Sequence, residues 1–96
     1  MSRALPVALV LLALVPFAVP SQFLVNLAML TALGKDKELG VHVRGAVRNG
    51  CSLLEIQESI LHASGYAGLP AGLAAFRVAE GVLKEMKESG ELKEDL

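Results

Sequence analysis

Apolar and polar positions alternate with helical spacing over most of this chain, while its first twenty residues are apolar almost without interruption. After Pro20, Phe23, Leu24, Leu27, Ala28 and Leu30 form a wide stripe. They predict a buried helix that Ser21 caps and that ends at Leu33, where Gly34 closes it in a left-handed conformation. Asp36 is placed to cap a second helix carrying Leu39, His42, Val43, Ala46 and Val47 up to an Asn49-Gly50 stop. Ser52, with Glu55 three residues on, completes a capping box for a third helix whose apolar members are Leu53, Ile56, Ile60 and Ala63. Gly65 and Gly68 are expected to end it. Pro70 suits the first turn of a last helix through Phe76, Val78, Ala79, Val82 and Leu83. The stretch from Lys84 to Leu96 is charged on nearly every turn and contains Ser89-Gly90, so it reads as a fraying, solvated tail. No strand-period alternation occurs, and the fold class is all-α.

The amino-terminal run from Ala4 to Pro20, ALPVALVLLALVPFAVP, follows a short Met1-Ser2-Arg3 start. Three readings compete for it. A spanning helix needs about 20 apolar residues, and this run is shorter and broken by Pro6, Pro16 and Pro20, so membrane contact through 4–20 is not favoured. A signal peptide fits the basic start and apolar centre, with a cleavage site near Val19-Pro20-Ser21, and would make the protein an exported one. The third reading is a segment packed in the core or between subunits, in a cytoplasmic protein. The chain thus divides into an apolar segment 1–20, a helical domain 21–88 and a charged tail 89–96.

Charge sharpens that division, since Arg3 is the only formally charged side chain before Lys35 and all acidic residues lie from Asp36 onward. A net charge of -1 with no basic stripe excludes a nucleic-acid partner of the usual kind, which needs a cationic face against phosphates. Ninety-six residues form one small domain, and a hydrophobic content of 53% leaves more aliphatic surface than a lone domain of that size hides easily. Association into a homo-oligomer is the simplest outlet. The single cysteine, Cys51, forms no internal disulfide, and no Cys/His cluster has zinc spacing, so no metal is expected.

Candidate chemistry concentrates between Glu38 and Pro70, ELGVHVRGAVRNGCSLLEIQESILHASGYAGLP. An H-V-R-G-A segment, then N-G, then E-I-x-E-S-I-L-H and Y-A-G-L-P, then an alanine-rich helix with A-F-R-V-A-E, resembles the carboxymuconolactone decarboxylase family from about Leu24 to Leu83. The resemblance implies a small bundle of four to five helices of the alkyl hydroperoxidase D-like type, assembled as a trimer or hexamer. It also implies cofactor-free decarboxylation of a small carboxylated lactone, of the kind found in the breakdown of aromatic compounds. Two departures stand out. Related alkyl hydroperoxidase D-like proteins carry C-x-x-C ahead of the histidine, where this chain reads Lys35-Asp36-Lys37-Glu38-Leu39; and where the family commonly has arginine before its L-V-x-L-A run, this chain has Gln22.

His42 is the candidate acid/base, because an imidazole titrates near working pH, and Glu38, one turn earlier on the same face, is placed to orient or charge it. The bland alternative is a surface Glu/His pair worth a few tenths of a kcal/mol. Arg44, two positions on, falls on nearly the opposite side of that helix and is assigned either to a substrate carboxylate in a neighbouring subunit's site or to an interface salt bridge. Glu58, His62 and Tyr66 share one face of the third helix, as substrate-binding groups or simply as its wet side. Two further functional readings stand beside the decarboxylase. One is a non-catalytic helical oligomer or binding module that keeps the fold; the other is a peroxidase-like antioxidant enzyme built on Cys51, which requires an accessible, low-pKa thiolate.

Overall fold

The computed structural model describes residues 6–7 and 19–94. The three readings of the run 4–20 fall almost wholly outside the described residues. Among those described, the chain forms four helices and no strand: α1 Val19–Leu33, α2 Asp36–Arg48, α3 Leu53–Ala67 and α4 Leu69–Glu88. None is long and apolar enough to cross a membrane.

α1 begins two residues before the expected cap, so Ser21 lies inside its first turn and caps nothing. Pro20 explains the shift, because a helix's first turn has no use for the N–H that proline lacks. At the other end Gly34, at φ 69°, allows Lys35 N–H to reach back to the Leu30 carbonyl at 3.1 Å, which terminates the helix. Asp36 is likewise not a cap. Lys35 takes that position without a side-chain bond, and Asp36 stands in the first turn of α2 with Glu38, where negative charge complements the helix dipole.

α3 starts as its sequence dictates. The Ser52 Oγ accepts from Glu55 N–H at 3.1 Å while Ser52 N–H donates to Glu55 Oε1 at 2.8 Å. Gly65 stays helical, and Gly68, at φ 101°, makes the break before α4, which has Pro70 in its opening turn.

The four helices close on one core in which Leu27, Leu39, Val43, Ile56, Ile60 and Met86 are essentially inaccessible to solvent. Each helix supplies at least one of them, so no element can leave without opening the others. α1 lies against both α2 and α3, and α4 packs across the same pair. Thr31, the one buried polar residue of α1, donates its hydroxyl to the Leu27 carbonyl at 2.7 Å and so enters the core without an orphaned group.

The carboxyl-terminal stretch departs from the expected fray. α4 continues to Glu88, Met86 is fully buried, and Leu92 returns to the core at 4% exposure. Its N–H donates to the Met86 carbonyl at 3.1 Å, and Glu91 pairs with Arg48 of α2 at 3.0 Å. Two apolar anchors and a cross-helix ion pair outweigh the local charge density that suggested a solvated tail.

Candidate functional site

His42 sits on α2 where that helix meets α1. Leu39, Val43 and Ala46 point into the core, and the histidine lies half-buried at the edge of that apolar face. Its ring meets Phe23 of α1 at a centroid separation of 5.9 Å and an angle of 53°, a tilted aromatic contact within the favourable range. Nδ1 is buried and has no hydrogen-bond partner, the one such side-chain atom among the described residues. The half-exposed ring therefore presents Nε2 as the nitrogen open to a ligand.

Glu38 is exposed one turn earlier and makes no hydrogen bond or ion pair with His42 within the chain. Arg44 faces away from His42, as the helical angle requires, and forms an ion pair with Glu85 of α4. Glu58, His62 and Tyr66 line the outer side of α3, all exposed, with Tyr66 at 86%. The His62 and Tyr66 rings touch at 5.5 Å. The single chain thus places Glu38 beside His42 along the helix without joining them, and keeps Arg44 and the α3 trio on separate faces.

A groove of about 660 Å³ runs between α3 and α4, with Ile56, Ile60, Phe76 and Leu83 on its walls and Gln57, Glu80 and Lys84 at its rim. His42 does not line it.

Cys51 is buried, and its Sγ donates to the Pro20 carbonyl at 3.3 Å. Burial pushes the thiol upward from its ordinary value, and the nearby Glu55 carboxylate adds to the effect. A peroxide-reactive cysteine needs the opposite on both counts, so the geometry speaks against the peroxidase-like alternative. No group of three or more His, Cys, Asp or Glu side chains suited to a metal ion occurs among the described residues.

The family model described as "Carboxymuconolactone decarboxylase family" matches residues 21–81, from the first turn of α1 to the middle of α4. The chain belongs to the carboxymuconolactone decarboxylase family. Two curated relatives agree with that placement. A "4-carboxymuconolactone decarboxylase" from Acinetobacter baylyi is 49% identical over 63 residues, 66% of this chain and 47% of the relative. A "Nitrosuccinic acid decarboxylase npaB" from Metarhizium robertsii is 45% identical over 56 residues, 58% of this chain and 39% of the relative. The match thus spans less than half the length of either relative. No solved structure matches the chain.

Family membership gives the geometry a second use, because Phe23, His42 and Gly45 all fall inside the matched segment. Sequence alone reads Phe23 as a member of an apolar stripe and Gly45 as part of H-V-R-G-A, and nominates neither as a site residue. A glycine three residues after the histidine in the middle of a helix was the available signal, since glycine there costs helix stability and marks a close approach. A Cβ at position 45 would stand 2.3 Å from Cε1 of Phe23.

Proposed function

We propose that this chain forms the helical domain of a cofactor-free decarboxylase for a small organic acid, with His42 as its acid/base and Glu38, one turn earlier on the same helix face, as the carboxylate beside it. The observation that carries the reading is a half-buried imidazole, open at one nitrogen, within the segment that matches a decarboxylase family. Both named relatives are decarboxylases, yet their acids differ, one a carboxylated lactone and the other a nitro acid. What the two acids share is an electron sink, a conjugated lactone carbonyl or a nitro group.

The reaction follows from that shared feature. The bond to the carboxyl carbon breaks, CO2 leaves, and the electron pair moves into the sink, where an oxyanion develops. A proton then returns to carbon. The protein must stabilise the oxyanion and deliver the proton. In this reading His42 performs the second task through Nε2. Arg44, Glu58, His62 and Tyr66 are the proposed substrate-binding groups.

These groups occupy separate faces of one chain, and the large groove lies away from His42, so the proposal includes a homo-oligomer, a trimer or hexamer, in which neighbouring copies close the pocket. Single-chain exposure of Tyr66, Leu69 and Leu73 supports association. The second reading, a non-catalytic helical oligomer, draws on the same separation of Glu38 from His42.

Substitution His42→Ala decides between them. On 4-carboxymuconolactone or nitrosuccinate, loss of the proton-transfer group is expected to lower kcat by roughly 100-fold or more while the assembly mass stays unchanged. Undiminished turnover by the variant discards the catalytic role of His42.

A further inference from the structure

We propose that Phe23 is a positioning residue for His42, and that position 45 is glycine so that the Phe23 ring can lie where it holds the imidazole. The inference rests on the reading of His42 as the proton-transfer group and deepens it.

Three observations converge on one small region. Phe23 of α1 meets the His42 ring at 5.9 Å and 53°. Gly45 lies three residues after His42, on the same side of α2. A methyl group at position 45 would come within 2.3 Å of Phe23 Cε1, 2.9 Å of Cζ and 3.1 Å of Cδ1, so the phenyl ring fills the space that any other residue would need. The ring is therefore seated on bare backbone one turn beyond the histidine and presses against it from the side.

That contact restricts what His42 can do. With Nδ1 buried and lacking a partner, a proton there would be an unsatisfied buried donor, so the neutral ring is favoured with its proton on Nε2. Removing the phenyl ring would free the imidazole to turn about its side-chain bonds and would let water reach Nδ1. Both nitrogens would then compete for the proton, and Nε2 would lose its fixed aim at a ligand. Proton delivery to carbon is sensitive to such aim, because a displacement of about 1 Å can cost on the order of 100-fold in rate.

The test uses the full chain with Phe23→Leu, Gly45→Ala and Phe23→Tyr, together with His42→Ala. Phe23→Leu and Gly45→Ala are expected to lower kcat by roughly 10- to 100-fold with little change in KM, at unchanged assembly mass and helicity. Phe23→Tyr retains the ring and is expected to recover most of kcat. Nitrogen-15 spectra of the labelled imidazole supply a readout that does not depend on turnover. Wild type should show one dominant tautomer with the proton on Nε2, and the Leu and Ala variants a mixture.

Should Phe23→Leu fail to fold, Gly45→Ala carries the same comparison by displacing the ring rather than deleting it. If His42→Ala abolishes turnover while the Phe23 and Gly45 variants keep wild-type kcat and wild-type nitrogen signals, positioning is overturned and the catalytic reading stands. If His42→Ala leaves turnover intact, the catalytic reading falls and the nitrogen signals alone decide whether Phe23 holds the ring. Unchanged signals overturn the proposal in that case too.

Discussion

The thiol of Cys51 shows how far a residue's surroundings redirect its chemistry. With Sγ on the Pro20 carbonyl and burial as the main cause, its pKa is raised in the folded protein. A raised value means that the fold favours the protonated form. The associated stability is fully present below the ordinary thiol value and is lost as pH rises through the raised one. Reaction with a thiol-specific disulfide reagent at mildly alkaline pH is therefore expected to be slow in the native protein and rapid in urea; equal rates would show that Sγ is accessible. Not every residue was equally legible in advance. The Ser52 and Glu55 pair could be read directly because a capping box closes within four residues, whereas the meeting of Phe23 with His42 joins two helices that only the folded core brings together.

Elements were legible where their signals are local, and their ends were misplaced where distant contacts decide. Removing the α3 cap with Ser52→Ala is expected to cost about 1 kcal/mol, read as a lower urea midpoint with an unchanged slope. The junction of α3 and α4 is tighter. A Cβ at Gly72 would fall 2.0 Å from Ser64 Oγ, whose hydroxyl already donates to the Ile60 carbonyl at 2.8 Å. Gly72→Ala is therefore expected to destabilise by about 1–3 kcal/mol through overpacking, and Ser64→Gly in the same chain should relieve part of that loss. α4 outlasts its predicted end because Met86 and Leu92 are buried and Arg44 and Arg48 pair with Glu85 and Glu91 across the bundle. None of those partners is near in sequence, so charge density alone pointed the wrong way.

For the molecule as a whole, the all-helical class and the family were readable from periodicity and motif order, while the arrangement of candidate groups was not. Glu38 and His42 share a helix face yet stay unjoined, and the α3 trio looks outward, because placement on a helix does not say what lies opposite. Val25, Met29 and Leu33 recur every four residues on α1 at 44%, 51% and 68% exposure, an apolar strip that water tolerates poorly. If copies associate through it, Met29→Glu should reduce the assembly mass by sedimentation while the helical circular dichroism is preserved. An assembly of wild-type mass would show that strip to lie outside the contact. Digestion with trypsin has a defined course on this fold. Cleavage after Lys93 leaves Leu92 seated, but a cut after Lys87 demands that the last turn of α4 unwind and that Leu92 be pulled from its socket. The protease should therefore nibble at the exterior first and stall there, leaving a fragment whose mass reports how firmly that single leucine bolts the bundle shut.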